Sequence, residues 1–177
     1  HSGGPSPVRG RWAWPGRGGS PVAPALLASM GVSAAHCLYV FNRAGECLHY
    51  REWSRPKPRA PAADDAKMLF GLLFSLKAFC AKLAPPGKED EAEFRAFRTN
   101  VYKLHALEAP SGLRFVLLTD PRAPDQREAL WHIYAGVYVP CVAQDPTVGH
   151  TSPAGPSRAG EAFAAALDKY VSQAVVS

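Results

Sequence analysis

Apolar residues recur along this chain with two different spacings, and each spacing predicts one kind of secondary structure. Two short apolar runs flank the polar sequence Asn-Arg-Ala-Gly, which is typical of a turn because Asn and Gly tolerate positive φ angles. The runs predict a hairpin of two strands, roughly Cys37 to Phe41 and Cys47 to Trp53. Both strands carry apolar residues on both faces, as expected when both faces of a sheet are covered.

The next apolar segment repeats with helical spacing. It runs from Asp64 to Leu83, begins at two aspartates that can cap a helix, and ends before a Pro-Pro pair. The core-facing stripe is predicted to comprise Leu69, Leu72, Leu73, Leu76, Phe79, Cys80 and Leu83. Phe70 and Phe74 fall beside this stripe. The helix is therefore apolar around more of its circumference than one sheet face requires.

The remaining pattern predicts three more strands and two more helices. The strands are predicted at Phe94 to Thr99, Val101 to Glu108 and Leu113 to Thr119. The second helix starts at Asp125, and Pro140 must end or kink it. The last helix covers Arg158 to Val176. The order β-β-α-β-β-β-α-α predicts an α+β fold, in which one five-stranded antiparallel sheet carries helices on both faces.

The composition is that of a globular protein whose charge is unevenly distributed. Apolar residues make up 47% of the chain and charged residues 20%. The net charge of +5 includes Arg9, Arg11 and Arg17; without these three, the 20 basic residues fall to 17, against 15 acidic ones. The rest of the chain is nearly neutral, which argues against a nucleic-acid-binding surface.

The first residues differ from the rest. Residues 1–24 are rich in Gly and Pro and have no apolar period, which is typical of disorder. We expect residues 1–30 to be a disordered or non-native leader, with Met30 as the functional start, and residues 31–177 to form the folded domain. A signal peptide is the rival interpretation, but two prolines interrupt its apolar run. No run approaches the roughly 20 apolar residues that span a bilayer.

Four cysteines, Cys37, Cys47, Cys80 and Cys141, would permit two disulfides in a secreted protein. A four-residue turn at Asn42 to Gly45 would place Cys37 and Cys47 on opposite faces of the hairpin, although a one-residue bulge would undo this argument. None of the cysteines stands at a zinc-site spacing. We therefore expect four reduced thiols in a cytosolic protein.

Catalytic chemistry finds little support in the sequence. It contains no Gly-rich phosphate loop, no GxSxG elbow and no HExxH motif. Cys47 and His49 could be paired as nucleophile and base, but residues i and i+2 on a strand share a face about 6–7 Å apart. An enzyme using Cys47 or a histidine is therefore the least favoured interpretation. We expect no metal and no cofactor.

Two surfaces are candidates for partner binding. The first is the outer side of the long helix, since large apolar patches usually mark interfaces. Its predicted residues are Met68, Phe70, Phe74 and Lys77. Changing Phe70 and Phe74 together to Asp is expected to abolish assembly and leave the fold intact. The second is a Pro-rich basic loop that could meet acidic lipid or an acidic partner, although a solvated loop is the favoured interpretation. Its residues are Arg51, Arg55, Lys57 and Arg59.

The hairpin sequence LYVFNRAGECLHYREW, residues 38–53, resembles the N-terminal signature of the small longin-type subunits of the TRAPP tethering complex. That signature has an aromatic strand, a polar turn with Gly, and then CLHY-x-EW. The resemblance covers residues 36–177 and is strongest with the Bet-five type. It continues in KMLFGLLFSLKAF, FRTNVYKLHALEAPSGLRFVLLTDP and LWHIYAGVYV. The leader, the Pro-rich loop and Pro140 depart from the family pattern.

This resemblance implies a longin (sedlin-like) fold without enzymatic activity of its own. It implies assembly with Bet-three-type and synbindin-type subunits into a guanine-nucleotide exchange factor for a Rab1-type GTPase. The protein would act from the cytoplasm in ER-to-Golgi transport, and would reach ER and cis-Golgi membranes only peripherally, through that complex. The alternative is a stand-alone longin-type regulatory domain related to SNAREs or adaptors. A SNARE would need a heptad-repeat helix after such a domain.

Overall fold

The computed structural model describes residues 35–54, 62–88, 92–143 and 158–175. Two predicted features lie wholly or largely outside these ranges: the leader and the Pro-rich basic loop after residue 54. Within the described ranges the predicted order of strands and helices is confirmed. The strands are β1 (Ala35–Phe41), β2 (Cys47–Glu52), β3 (Ala96–Arg98), β4 (Lys103–Glu108) and β5 (Arg114–Thr119). The helices are α1 (Ala62–Leu83), α2 (Arg127–His132), which continues as a π-helical segment (Ile133–Ala143), and α3 (Arg158–Val175).

The five strands form one antiparallel sheet in the order β2-β1-β5-β4-β3. Side chains on a strand alternate between the two faces. From Cys37 to Phe41, the odd-numbered residues of β1 therefore pack toward α1, and the even-numbered residues pack toward the other helices. This explains why the first hairpin is apolar at successive positions, and it confirms the predicted sheet with helices on both faces.

Of the helices that the structure describes, only α1 covers the first face of the sheet. Here β1, β4 and β5 contribute Cys37, Tyr39, Phe41, Leu104 and Val116, and α1 contributes Ala66 and Leu73. The other face is covered by the π-helical segment and by α3. Its largest fully buried side chains are Leu38, Phe115 and Leu117 from the strands and Leu130, Ile133, Phe163 and Leu167 from the helices. The second core is larger, so α2, the π-helical segment and α3 form the thicker layer.

The first hairpin contains a β-bulge that changes the expected pairing. Phe41 pairs with Cys47, and Cys37 pairs with Glu52, because the register shifts between Val40 and Phe41. The prediction that Cys37 and Cys47 face opposite sides is therefore wrong: both pack on the α1 face. They are nevertheless four residue pairs apart, about 13 Å along the strands, which is too far for a disulfide. All four cysteines are free thiols.

The turn of this hairpin also positions α1. Gly45 has a φ of +88°, and a Cβ atom there would lie 2.6 Å from the ring of Phe70. Only glycine meets both conditions without strain. Asn42 closes the turn: its side-chain oxygen accepts a hydrogen bond from the Glu46 backbone N–H at 2.9 Å. The turn sequence therefore fixes both the bend of the hairpin and the place where Phe70 packs.

The second helix does not end at Pro140. It is α-helical for six residues and then π-helical over Ile133–Ala143, with Pro140 inside the π-helical segment. In an α-helix the proline ring would collide with the carbonyl four residues earlier. The wider π turn leaves room for the ring, so three more helical residues follow. The segment carries Val137 and Tyr138 into the core.

His105 is the most deeply buried ionisable residue of β4, with 1% of its surface exposed. The backbone N–H of Gln126 donates to its Nδ1 at 3.4 Å, which leaves Nε2 to donate to the hydroxyl of Thr119 at 3.1 Å. Burial, and then the charge of Lys103, lower its pKa to about 4. The histidine is therefore neutral and joins β4, β5 and the start of α2.

His105 is expected to make folding sensitive to acid. Between pH 6.5 and 4 the unfolded chain binds a proton at this imidazole and the folded chain does not, so stability falls as the pH falls. This residue alone should account for about 2–3 kcal/mol of lost stability between pH 7 and 4.5. Urea unfolding at both pH values, on the wild type and His105→Gln, measures it. An equal acid-induced loss in the two proteins would contradict the prediction.

Candidate interaction surface

The outer side of α1 carries large apolar side chains that the chain itself leaves uncovered. Met68 is 67% exposed and Phe74 is 65% exposed, as predicted for a surface beside the core stripe. Phe79 and Leu83 were expected in the core stripe, but 58% and 69% of their surfaces are exposed. We call the set Met68, Leu72, Phe74, Phe79 and Leu83 the α1 outer face.

The predicted core stripe was wrong for three of its members, Leu72, Phe79 and Leu83. The helix is rotated about its axis by roughly 60° from the predicted orientation. Its buried side is centred on Ala66 and Leu73, with Leu69 and Phe70 beside them. Small Ala66 is buried against the sheet on this side, and the ring of Phe70 packs beside Gly45 at the turn of the first hairpin.

Phe70 was predicted to bind a partner, and the structure places it against the core. Its ring centroid lies 5.6 Å from that of Phe41, and the guanidinium of Arg114 lies 5.0 Å above the ring. The ring of Phe70 therefore packs against three neighbours, Phe41, Arg114 and Gly45. Of the two phenylalanines, only Phe74 presents most of its surface outward.

Lys77, the fourth predicted interface residue, fastens α1 to the sheet. Its Nζ donates to Oε2 of Glu108 at 2.6 Å, and Nε of Arg114 lies 3.6 Å from the same oxygen. Burial alone would raise the pKa of Glu108, but hydrogen bonding and charge from Lys77 and Arg114 outweigh it and lower the pKa. The side chain of Lys77 as a whole remains about half exposed.

Arg51 does not belong to the basic loop with which it was grouped. It lies on β2, where its guanidinium makes a two-point contact with Asp168 of α3, including Nε to Oδ1 at 2.8 Å. The indole N–H of Trp53 donates to the same carboxylate at 2.9 Å. Although burial opposes it, these donors lower the pKa of Asp168. Arg51 therefore holds α3 on the sheet. Arg55, Lys57 and Arg59 lie outside the described residues, and their role stays a prediction.

The bulge also separates the one candidate catalytic pair. Cys47 packs on the α1 face, whereas the ring of His49 packs against Phe163 on the opposite face. The thiol of Cys47 lies 3.4 Å from the backbone oxygen of His49 and makes no contact with its ring. Burial raises the pKa of Cys47 and lowers that of His49. The expectation that both share one face is wrong, and the pair cannot act as nucleophile and base.

The described part of the chain holds no cluster of three or more His, Cys, Asp or Glu side chains suited to a metal ion. Among its helices, none is long and apolar enough to span a membrane. The sheet edge adds two exposed apolar residues that the sequence did not single out, Phe97 on β3 and Val101 after it. Phe97 pairs with Leu104, so it lies on the face of the sheet that α1 covers.

A five-stranded antiparallel sheet in this order, with described helices on both of its faces, places the chain in the class of α+β proteins. Within that class, the chain belongs to the Sybindin-like family, whose model matches residues 35–174.

Several curated relatives share this similarity over most of their length. The Homo sapiens protein named trafficking protein particle complex subunit 1 is 40% identical over 137 residues, which are 77% of this chain and 90% of that protein. The Dictyostelium discoideum protein of the same name is 37% identical over 113 residues, 64% of this chain and 80% of its own length. The Saccharomyces cerevisiae subunit named BET5 is 30% identical over 117 residues, 62% and 72% of the two chains.

Proposed function

We propose that this chain is a subunit of a trafficking protein particle (TRAPP) complex, of the Bet-five type. The observation that carries the proposal is the 40% identity to subunit 1 along 90% of that protein's length. The α1 outer face supports it, because a single helix that exposes five large apolar side chains needs a protein neighbour. The neighbours we propose are Bet-three-type and synbindin-type subunits.

In this proposal the chain supplies surface and rigidity and carries out no chemistry of its own. The assembled complex acts as the exchange factor for a Rab1-type GTPase. Exchange of this kind works by differential binding: the complex binds the nucleotide-free GTPase more tightly than the nucleotide-bound form and so shifts the population toward nucleotide release. Two ion pairs help to hold helices on the sheet while partners bind. Arg51 with Asp168 joins α3 to β2, and Lys77 with Glu108 joins α1 to β4.

The site of action follows from the partners. We propose that the chain works in ER-to-Golgi transport, on the cytoplasmic side of ER and cis-Golgi membranes, and that it reaches those membranes peripherally through the complex. The Pro-rich basic loop could add to this contact through Arg55, Lys57 and Arg59, which follow β2 in the sequence.

Co-expression tests the proposal. The chain would be produced with Bet-three-type and synbindin-type partners and examined by size-exclusion chromatography with light scattering. We expect a stoichiometric complex that persists through the column. A chain that elutes alone and ignores both partners would instead support a stand-alone longin-type regulatory domain.

A further inference from the structure

The middle of the outer side of α1 holds two small residues, Gly71 and Ser75. A Cβ atom at Gly71 would meet nothing within 4 Å, so the fold of the chain does not require glycine there. Glycine inside a helix also destabilises it relative to alanine. The hydroxyl of Ser75 donates to the carbonyl of Gly71 at 2.9 Å, so it needs no water as acceptor. Another helix can therefore approach α1 closely at this point.

Two exposed side chains of opposite charge lie at equal distances along α1 on either side of Gly71 and Ser75, measured from the level of residue 73 midway between them. Asp64 stands nine residues before residue 73, and Lys82 stands nine residues after it. The 18 residues between them make five turns of 3.6 residues, so both lie on one line along the helix surface. That line also runs beside Gly71 and Ser75. The large side chains of the α1 outer face flank it, with Phe74 on one side and Met68 and Phe79 on the other.

We propose that α1 pairs antiparallel with α1 of a second copy of this chain. The two-fold axis crosses the outer side of the helix, opposite the buried Leu73 and at the same height along the helix. This symmetry brings Asp64 of each copy against Lys82 of the other, and Gly71 against Ser75. It also sets the two Phe74 rings side by side, and places Met68 of one copy against Phe79 of the second. One surface thus meets itself with complementary charge and shape, which is what a two-fold interface requires.

The size of the surface predicts a reversible dimer. The five side chains of the α1 outer face would bury about 500–600 Å² per copy, since a large side chain offers about 150–250 Å² and these are roughly 40–70% exposed. The pair would bury about 1,000–1,200 Å², the lower limit for a specific interface. Such a dimer covers the α1 outer face of the free chain. It dissociates when a subunit that buries more surface binds to the same face. It goes beyond the proposed function, because it concerns the chain before assembly.

The charges favour a second copy over a lipid surface as the occupant. An anionic membrane would attract Lys82 in the last turn of α1 but repel Asp64 and Asp65 in the first turn, where Lys67 offsets only one of the two negative charges. A second copy in antiparallel orientation satisfies both ends at once.

Charge reversal in the full-length chain tests this pairing. Asp64→Lys and Lys82→Asp, each alone, turn two attractive contacts per dimer into two repulsive ones, and we expect the dissociation constant to rise roughly tenfold. The double variant Asp64→Lys/Lys82→Asp should restore dimerisation, even though both changes oppose the helix dipole. Light scattering and analytical ultracentrifugation over a wide concentration range give the constants. Glu161→Lys, on the exposed side of α3, is the matched control and should change nothing.

Three results would overturn the proposal. The first is a chain that stays monomeric at every concentration. The second is a dimer that both single charge reversals leave unchanged. The third is a monomer that sediments with phosphatidylserine vesicles, which would assign the face to lipid. Co-expression with the partner subunits tests the proposed function separately. The double variant should dimerise in the absence of those subunits, so failure of one proposal can be told from failure of the other.

Discussion

Met68→Asp combined with Phe74→Asp is expected to abolish recovery of the chain in a complex with its partner subunits. Both side chains are about two-thirds exposed in the free chain, so the folded state loses little when they change. In an assembled interface, each aspartate would bury an unpaired carboxylate where a large apolar group belongs. We expect binding to weaken at least ~100-fold, and the free energy of unfolding to change by less than about 1 kcal/mol.

The matched control introduces the same charge elsewhere. Ala165→Asp changes an exposed position on α3 and should leave assembly intact. Co-purification measures the first effect, and urea unfolding measures the second. Normal complex formation by the double variant would remove the α1 outer face from the interface.

Phe70 is not changed in this experiment because its ring packs against the core. The expectation that Phe70 and Phe74 can be changed together with the fold left intact is therefore corrected. Phe70→Ala removes a ring that packs on Phe41, Arg114 and Gly45. It should lower the free energy of unfolding by about 2–4 kcal/mol, whereas Phe74→Ala should leave it nearly unchanged. The two alanine variants therefore separate a core position from a surface position on the same helix, four residues apart.

Phe163→Ala is expected to lower the free energy of unfolding by about 3–5 kcal/mol. The ring is 1% exposed and is the point at which three elements meet. It stands edge-on to Tyr138 of the π-helical segment, with ring centroids 5.3 Å apart, and to His49 of β2 at 4.7 Å. Truncation loses these contacts and leaves a cavity that rigid neighbours cannot close. α3 should then unfold locally before the rest of the chain.

Urea unfolding followed by tryptophan fluorescence measures this loss, since Trp53 and Trp131 both pack against the core that Phe163 occupies. Lys169→Ala, on the exposed side of the same helix, is the control and should fall within about 0.5 kcal/mol of the wild type. A loss below about 1 kcal/mol at Phe163 would contradict the packing described here. Hydrogen exchange of the α3 amides tests the local unfolding.

Secondary structure and sheet pairing were largely accessible from local patterns. The turn at Asn42 to Gly45 and the successive apolar residues around it predicted a hairpin covered on both faces, and β1 and β2 form that hairpin. The helical spacing between the aspartates and the Pro-Pro pair predicted α1 to within two residues of its observed start. These features depend on alternation, turn chemistry and capping, which act over a few residues and leave a direct trace in the sequence.

The candidate surface was only partly accessible. Phe74 was identified because it falls beside the core stripe, Met68 was grouped with it in the predicted interface, and the structure leaves both exposed. Phe79 and Leu83 were assigned to the core because they fit a helical stripe as well as the true members do. Two overlapping apolar arcs on one helix satisfy the same period, so periodicity cannot choose between them. The choice is made by volume: Ala66 against the sheet and Phe70 beside Gly45 set the rotation.

The amino-acid sequence by itself determined the order of elements, the coverage of both sheet faces and the family, because periodicity and local motifs encode all three. Only the tertiary structure decided the rotation of α1, the bulge that separates Cys47 from His49, and the pairing of Arg51 with Asp168, 117 residues apart. Each of these depends on which side chains meet across long chain separations. A local sequence pattern does not predict such long-range contacts, since the fit of side-chain volumes and charges arises only when the layers pack together.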